Sequence, residues 1–552
     1  MSRLRRSLRA RAAITSAGAL IGLLFAALGL TACGSSGTSA TEGGTLNVLT
    51  PSFTDFEDPQ LGYEATGWEA RYNVYIPLLT YAHASGPAGT KVIPGLAESL
   101  PKLSNGDKTY NLTLRKGLKY SDGSPVKACD AKFAVQRIFD TNSKGAPLYT
   151  DIAGAEDYQS GKANDISGIR CNDQTGQVSY TLTAPEGSFT NKLGLQFSAP
   201  VPQDSPPKYD PSHPIPATGP YYFTNIDSGK SWTEERNPQW AKNNAKILPD
   251  LPSGHVDKIT STVVKNYSSA TTDVEQNNAD ALTDPPPTDR LPEVLNQYSD
   301  RLHKWNTVST YYFGFNSLKP PFNDLKVRQA VNYAVDPTAI ERLYGGLMAP
   351  TQQVLPPDMP GYQKIELYPH DMAKAQALIK QANPSDKNIT VWADDEDPQP
   401  KVGAYMQDVL KQLGFNAKLK VINGDIYFDV IGKKATPDVD IVWNDWFQDY
   451  PHPDDFFNPL LNGNNIAASA NLNVYFNDPA INKKIEQLVK QPLNSATEAQ
   501  YAALDKQVMG QAAWVPYGNR TWTTFTSDRV SQDSIIFSPV FQNDYSSYQF
   551  TK

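Results

Sequence analysis

Between residues 370 and 446 the sequence alternates helical and extended segments in an order that few folds allow. Apolar residues recur at helical spacing after Asp371, and again over residues 402–413, where Gly414 ends the pattern. A short third helix is predicted from Asp425. The predicted strands between these helices are 388–393, 415–422 and 438–444. Right-handed crossovers would join such strands into a parallel sheet buried on both faces, which predicts an α/β fold.

Ligands of such sheets bind beyond the carboxyl ends of the strands, and one segment at such an end combines acids, aromatics and prolines. This segment is QDYPHPDDFF, residues 448–457. Trp446 and Tyr450 lie beside Asp449 in the sequence, and tyrosine and tryptophan offer flat apolar walls with a polar tip. Trp443, inside the predicted strand, fits either such a wall or the core.

The first 43 residues indicate export. Five arginines precede an uncharged apolar run at 12–32, so we assign residues 1–32 to a secretory signal peptide. The Leu-Thr-Ala-Cys sequence ending at Cys33 resembles a bacterial lipobox, which predicts a lipid on Cys33. Residues 33–43 are mostly small and polar, as in a flexible tether. An uncleaved membrane anchor stays open as an alternative, and either the general secretory or the twin-arginine route would fit.

The mature chain is predicted to be acidic. Removing residues 1–32 removes five arginines and no acids, and it changes the formal charge from −8 to −13. This charge argues against a nucleic-acid partner and fits either cationic ligands or plain solubility. The acidic run at 394–397 follows a predicted strand and fits either a solvated loop or an electrostatic face for a ligand.

The sequence lacks the common motifs of catalysis and metal binding. It contains no HExxH or GxSxG pattern, and the Gly-Lys-Ser at 229–231 is not preceded by glycine at position 224. We therefore expect no catalytic residue, no cofactor and no metal. Cys129 and Cys171 lack CxxC spacing, and an oxidising exterior favours a disulfide between them over metal binding.

Six segments, in order along the chain, together resemble the family 5 solute-binding proteins of ABC importers, the oligopeptide and dipeptide type. They are VIPGLAESL at 92–100 and the segments 109–139, 217–240, 327–340, 352–362 and 446–457. The resemblance covers nearly all of the mature chain. It implies a periplasmic-binding-protein-like type II fold, with mixed sheets in two hinged lobes and an extra inserted domain.

The resemblance also implies three domains. Domain I is discontinuous (44–80, 217–309 and 521–552), domain II is inserted at 81–216, and domain III spans 310–520. Two chain crossings, near 311–316 and 515–520, would form a hinge about which the lobes close over a ligand.

Carried over residue by residue, the resemblance implies that Asp449 pairs with the α-ammonium group of a peptide. An ammonium group removed from water needs a paired anion, so this role is physically reasonable. Trp446 matches a tryptophan of the site wall, and Tyr517 matches a tyrosine of the second hinge crossing. Ala65 and Thr66 match the wall of the first domain more loosely.

One departure from the family concerns the loop after the strand at 388–393. Dipeptide-specific members have an arginine there that holds the ligand carboxylate, whereas this chain has DDEDPQP. A longer or cationic peptide is therefore favoured over a small zwitterionic dipeptide. The other acids of the 448–457 segment, Asp454 and Asp455, are expected to cap a helix that begins at Phe456.

These features predict a monomeric, extracytoplasmic lipoprotein, anchored to the outer face of the cell membrane through Cys33, that captures peptides for an ABC permease without catalysis. The resembling family also binds nickel complexes, haem, opines and sugars, and these ligands stay open. An exported hydrolase would need a base near Asp449, where His452 is the nearest histidine and fits a turn between two prolines. A sensor or adhesion lipoprotein without a permease is a further alternative.

Overall fold

The computed structural model describes residues 41–432, 439–466, 473 and 475–552. The predicted signal peptide, Cys33 and most of the predicted tether lie outside these residues. Among the described residues, no helix has both the length and the apolar character that crossing a bilayer requires.

Strands and helices follow one another along the whole described chain. In chain order the strands are β1 Thr45–Thr50, β2 Leu79–Tyr81, β3 Val92–Pro94, β4 Lys102–Ser104, β5 Thr109–Thr113, β6 Ile169–Asn172, β7 Gln177–Thr181, β8 Tyr221–Asp227, β9 Ser231–Arg236, β10 Lys258–Val263, β11 Ala281–Leu282, β12 Leu302–Asn306, β13 Ser309–Phe315, β14 Met348–Pro350, β15 Asn388–Asp394, β16 Asn416–Ile422, β17 Ile441–Phe447, β18 Trp514–Thr526, β19 Phe537–Ser538 and β20 Gln542–Asn543. The helices are α1 Ala65–Val74, α2 Ala128–Asp140, α3 Ala155–Gln159, α4 Phe189–Lys192, α5 Ala245–Ile247, α6 Tyr267–Glu275, α7 Leu291–Gln297, α8 Leu325–Ala334, α9 Pro337–Leu343, α10 Met372–Ala382, α11 Gln399–Gln412, α12 Gly424–Ile431, α13 Asp454–Leu461, α14 Pro479–Val489 and α15 Ser495–Gly510.

A mixed sheet of twelve strands runs through the molecule. Its order is β16-β15-β17-β13-β18-β11-β1-β10-β9-β8, with β12 and β14 also paired to β18. A separate four-stranded antiparallel sheet has the order β4-β5-β7-β6. We call the part around β1, β8–β11 and the four-stranded sheet the first lobe, and the part around β13–β17 the second lobe. Strand β18 belongs to the sheet in both lobes.

The helix and strand order predicted for residues 370–446 matches the structure. Asp371 begins α10, and its side chain accepts a hydrogen bond from the backbone N–H of Lys374. Strand β15 runs parallel to both β16 and β17, as the crossover argument predicts. All three strands therefore point their carboxyl ends to one edge of the sheet.

Two details of this prediction were wrong. Strand β16 is the edge of the sheet, and Val421 is 43% exposed there, so the sheet is not buried on both faces at this strand. Strand β17 ends at Phe447 rather than near residue 444, because it stays paired with the antiparallel strand β13 up to Ser309. Trp446 consequently lies inside the strand rather than beyond it.

Four buried apolar clusters within the described residues hold the fold together, and the smallest packs α6 and α7 against β11, β12 and β18. The largest draws on residues from Val308 to Tyr517, the second surrounds the four-stranded sheet and α2, and the third lies around β1 and β8–β10. Trp240 and Leu248 pack into the second cluster, although the predicted domain I includes them. The exact three-domain boundaries stay a prediction.

A disulfide joins Cys129 of α2 to Cys171 of β6, with 5.1 Å between the two Cα atoms. These are the two cysteines that the sequence pairs. The bond fastens the helix of the first lobe to its four-stranded sheet. Closing this loop stabilises the fold by about 4 kcal/mol in the chain-entropy model.

Candidate ligand-binding site

Asp449 lies just past β17, where the two lobes meet. Its side chain is 9% exposed, and burial raises the pKa of its carboxyl group, against the lowering effects of the Tyr63 hydrogen bond and of Lys192. Among the described residues, the hydrogen bond to this carboxylate comes from Tyr63, whose hydroxyl donates to Oδ2 at 2.8 Å. Tyr63 belongs to the first lobe, so the bond crosses the lobe boundary.

Asp455 holds the backbone of Asp449 in place. Its Oδ2 atom accepts hydrogen bonds from the backbone N–H of Asp449 at 2.9 Å and from Nε1 of Trp446 at 3.1 Å. The prediction that Asp454 and Asp455 cap a helix starting at Phe456 was wrong, because both lie in the first turn of α13, which begins at Asp454. Burial and the charge of Asp449 raise the pKa of Asp455. Its carboxyl group orients the loop and the indole of Trp446.

Tyr450 and Asp454 face the first lobe. Tyr450 is buried in the core of the first lobe, and its hydroxyl donates to Oδ2 of Asp454 at 3.3 Å. Lys192 of α4 lies 5.7 Å from the centre of the Tyr450 ring and pairs with Glu186. The hydroxyl of Ser188 also donates to Asp454, at 3.4 Å. Tyr450 therefore packs into the core of the first lobe rather than lining an open wall.

Trp443 and Tyr517 form a buried pair in the second lobe. The indole Nε1 of Trp443 donates to the Tyr517 hydroxyl at 2.7 Å, and the hydroxyls of Tyr517 and Tyr344 lie 3.1 Å apart. Tyr517 occupies a bulge of β18, since Tyr311 pairs with Gly518 while the next residue of β13 pairs with Pro516. Bulges redirect side chains, which explains how this strand residue reaches the indole. Both residues belong to the apolar core of the second lobe.

The remaining predicted site residues lie on β17 and α1. Trp446 is partly exposed and contacts Asp455, which places it beside Asp449. Ala65 and Thr66 begin α1, two and three residues after Tyr63, and Thr66 is half-buried. The structure thus brings Trp446, Asp449 and the start of α1 together. It places Trp443 and Tyr517 in a separate aromatic group.

Carboxyl groups other than Asp449 also gather where strand ends of both lobes meet. Asp394 ends β15, Asp445 lies within β17, and Asp284 follows β11 of the first lobe. Burial, followed by neighbouring carboxylates, raises the pKa of Asp394 to about 8. Burial raises the pKa of Asp445 to about 7 and that of Asp284 to about 6, although Arg520 lowers the latter. Of the acidic run that fits either a solvated loop or a ligand-facing surface, residues 395–397 are exposed and Asp394 is buried.

Sequence reasoning missed three residues of this region. Tyr63, Asp445 and Tyr311 carry no motif. The pairing of strands β13 and β17 places Tyr311 opposite Asp445. Tyr63 stands two residues before the loosely matched Ala65, which is the one signal that could have indicated it. Long-range contacts of this kind have no local pattern in a single sequence.

This arrangement, a loop at the carboxyl edge of a sheet with its polar groups buried between two lobes, defines a two-lobed binding protein. The model of the bacterial extracellular solute-binding proteins, family 5, matches residues 91–468. The chain belongs to this family.

Curated relatives and solved structures agree with this membership. The chain is 26% identical over 445 residues to the periplasmic oligopeptide-binding protein OppA of Salmonella typhimurium, covering 77% of this chain and 78% of the relative. It is 26% identical over 520 residues to heme-binding protein A of Haemophilus influenzae, covering 86% of each. Among solved structures, clavulanic acid biosynthesis oligopeptide binding protein 2 superposes with a TM-score of 0.83 at 21% identity, covering 93% of this chain and 96% of that one. This last likeness shows the shared fold.

Proposed function

We propose that the protein captures peptides outside the cytoplasm and delivers them to an ABC permease, with Asp449 receiving the peptide α-ammonium group. The observation that carries this proposal is the environment of Asp449. Its carboxylate is buried between the lobes and is bonded, among the described residues, by the neutral hydroxyl of Tyr63. A buried carboxylate is stabilised far more by a paired ammonium group than by one neutral donor.

The names of several similar proteins support a peptide ligand, since OppA of Salmonella typhimurium is an oligopeptide-binding protein. The loop after β15 carries acids where dipeptide-specific family members have an arginine, which supports a longer or cationic peptide over a small dipeptide. Trp446 supplies an apolar face beside Asp449. Cleft closure over the peptide follows from the two-lobed fold.

The environment of His452 supports binding without catalysis. This histidine is 1% exposed, and its Nδ1 atom accepts a hydrogen bond from the backbone N–H of Asp454 at 3.1 Å. Burial and the nearby charge of Lys192 lower its pKa to about 3, so it is neutral at physiological pH. A hydrolase would need this ring to approach substrate and take up a proton, which its burial opposes.

Haem is a second candidate ligand, favoured by the likeness to heme-binding protein A over 86% of the chain. Nickel complexes, opines and sugars also occur as ligands in the resembling family. Mass spectrometry of small molecules released by denaturing freshly purified protein separates these classes by mass. Recovery of peptides is the expected result, whereas recovery of haem or another class would replace peptide in the proposal.

Replacing Asp449 by asparagine tests the ammonium pairing. We expect Asp449→Asn to weaken peptide binding by about tenfold or more, because the variant keeps the shape of the side chain and loses its charge. Isothermal titration calorimetry with the recovered peptide measures this change. Asp408→Asn, on the exposed face of α11, removes a carboxylate far from the lobe boundary and should leave affinity unchanged. Equal affinity of wild type and Asp449→Asn would refute the pairing.

We also propose that the mature protein is a monomer held at the membrane by a lipid on Cys33, a residue outside the described part of the chain. The lipobox-like sequence before Cys33 supports this anchor. In cell fractionation, Cys33→Ser should move the protein from the membrane fraction to the soluble extracytoplasmic fraction. Retention of the variant in the membrane fraction would favour an uncleaved anchor instead.

A further inference from the structure

Tyr63 and Asp449 are separated by 386 positions in the sequence, yet they share a hydrogen bond of 2.8 Å. Tyr63 is held firmly on the first lobe. Its ring stacks against Phe197 at 6.0 Å between centroids and meets the edge of Trp68 at 6.3 Å. Its backbone N–H donates to Oδ2 of Asp55 at 2.6 Å. The hydroxyl therefore reaches Asp449 from a fixed position.

The chemistry of a phenol allows Tyr63 to contact two groups at once. A phenolic hydroxyl donates one hydrogen bond and can accept another through its oxygen. The single proton of Tyr63 is directed to Oδ2 of Asp449, which leaves the oxygen free to accept from a third group. Burial and the charge of Asp449 raise the pKa of Tyr63, so the hydroxyl keeps its proton at physiological pH.

Asp449 has a second carboxylate oxygen, Oδ1, next to the atom that Tyr63 contacts. A ligand ammonium group carries three N–H donors and can donate to Oδ1 and to the Tyr63 oxygen together. These two acceptors belong to different lobes. An ammonium group placed between them would strengthen a contact that forms only when the lobes approach each other.

We propose that Tyr63 is a positioning residue of the ammonium site, donating to Asp449 while its oxygen accepts a hydrogen bond from the ligand amine. This inference rests on the proposed role of Asp449. Tyr63 acts in part through Asp449, because it fixes the rotamer of the carboxylate and occupies one of its oxygens. Binding of the amine thereby favours closure of the lobes, because Tyr63 and Asp449 belong to different lobes.

A double-mutant cycle with two ligand pools tests this role. The probes are an equimolar mixture of tetrapeptides with free amino groups and the same mixture after N-acetylation. Binding is measured by mass spectrometry of the peptides retained on ultrafiltration. Wild type, Tyr63→Phe, Asp449→Asn and the double variant are compared, and a urea unfolding midpoint for each establishes that it folds.

We expect Tyr63→Phe to weaken retention of the free-amine pool by about tenfold and to leave retention of the acetylated pool unchanged. The loss of binding in the double variant should be smaller than the two single losses combined, since Tyr63 acts in part through Asp449. Tyr158→Phe is the matched control. Its hydroxyl also donates to a carboxylate, that of Asp140, but on α3 of the first lobe, and its removal should change neither pool.

Three results would overturn the inference. If Asp449→Asn weakens binding and Tyr63→Phe does not, Tyr63 has no part in the site, although the proposed function survives. If Tyr63→Phe weakens both pools equally, its hydroxyl only supports packing between the lobes. If wild-type protein retains neither pool, the peptide function itself fails, and the role of Tyr63 fails with it.

Discussion

Buried carboxyl groups in this protein differ in how completely their oxygens are bonded. Glu69 is buried in the first lobe, where its oxygens accept from the Tyr545 hydroxyl and from the side-chain amide of Asn543, both at 2.8 Å. Asp449, at the lobe boundary, accepts one hydrogen bond within the described part of the chain, from Tyr63. The first arrangement is a closed structural network, whereas the second leaves an acceptor for a ligand. An unfilled acceptor at the lobe boundary, where a ligand can reach it, distinguishes Asp449 from the carboxyl groups buried inside a lobe.

Glu234 is a fully buried carboxyl group of the first lobe. It lies on β9 with no exposed surface, and neither of its carboxyl oxygens has a hydrogen-bond partner within the described residues. Burial raises its pKa well above 4.5, although the nearby indole N–H of Trp232 has a lowering effect. The folded protein thus keeps a proton that the unfolded chain releases above pH 4.5. The free energy of unfolding consequently falls as pH rises from 4.5 toward the folded-state pKa.

We predict that Glu234→Gln makes stability less dependent on pH. The amide stays neutral at all these pH values. The free energy of unfolding of the variant should therefore rise relative to that of wild type by up to about 1.4 kcal/mol per pH unit above 4.5. Urea unfolding at pH 5.5 and pH 8 measures the change. The neighbouring Glu235, which pairs with Lys258 at 2.9 Å near the surface, provides the control variant Glu235→Gln. Parallel pH profiles for wild type and Glu234→Gln would contradict the prediction.

At the scale of helices and strands, the second lobe could be predicted well between residues 370 and 432. Helices α10 and α11 are regular amphipathic segments with clear ends, at Asp371 and Gly414, and local signals of this kind fix the position of an element. The strong alternation of helices with strands also implied the parallel pairing of β15 with its neighbours. The spacing of apolar residues was sufficient to predict these helices because the same residues are the buried ones.

The elements that fail to follow from the sequence depend on partners far away in the chain. Strand β17 extends to Phe447 because β13 pairs with it, and β13 starts 132 positions earlier, at Ser309. The resemblance singled out Asp449 and Trp446, whereas Tyr63 and Asp455 became visible only through contacts. Tyr517 was assigned to the site from its place near the hinge, but its direction depends on a bulge that no local signal announces.

At the scale of the whole molecule, closing the lobes should take up protons. Asp394, Asp445 and Asp284 have pKa values of about 8, 7 and 6 in the structure, raised chiefly by burial. Opening the cleft would hydrate these groups and return their pKa values toward 3.8. At pH values between 3.8 and these raised pKa values, the closed form then binds more protons than the open form. Lower pH should therefore favour closure of the empty protein.

Small-angle X-ray scattering of the ligand-free protein tests this coupling. We expect the radius of gyration to decrease as pH falls from 8 to 6. The double variant Asp394→Asn, Asp445→Asn should show a weaker dependence, while Asp408→Asn should behave like wild type. A radius of gyration that grows with acidification would show that these carboxyl groups are not buried by closure.

Strand β18 pairs with β13 and β14 in the second lobe and with β11 and β12 in the first. A single continuous ladder of backbone hydrogen bonds thus connects the two halves of the protein. The lobes cannot swing like bodies on a loose tether, since any rotation has to twist this ribbon while its bonds stay paired. We therefore expect β18 to resist twisting and to favour one angle between the two halves after the ligand has left.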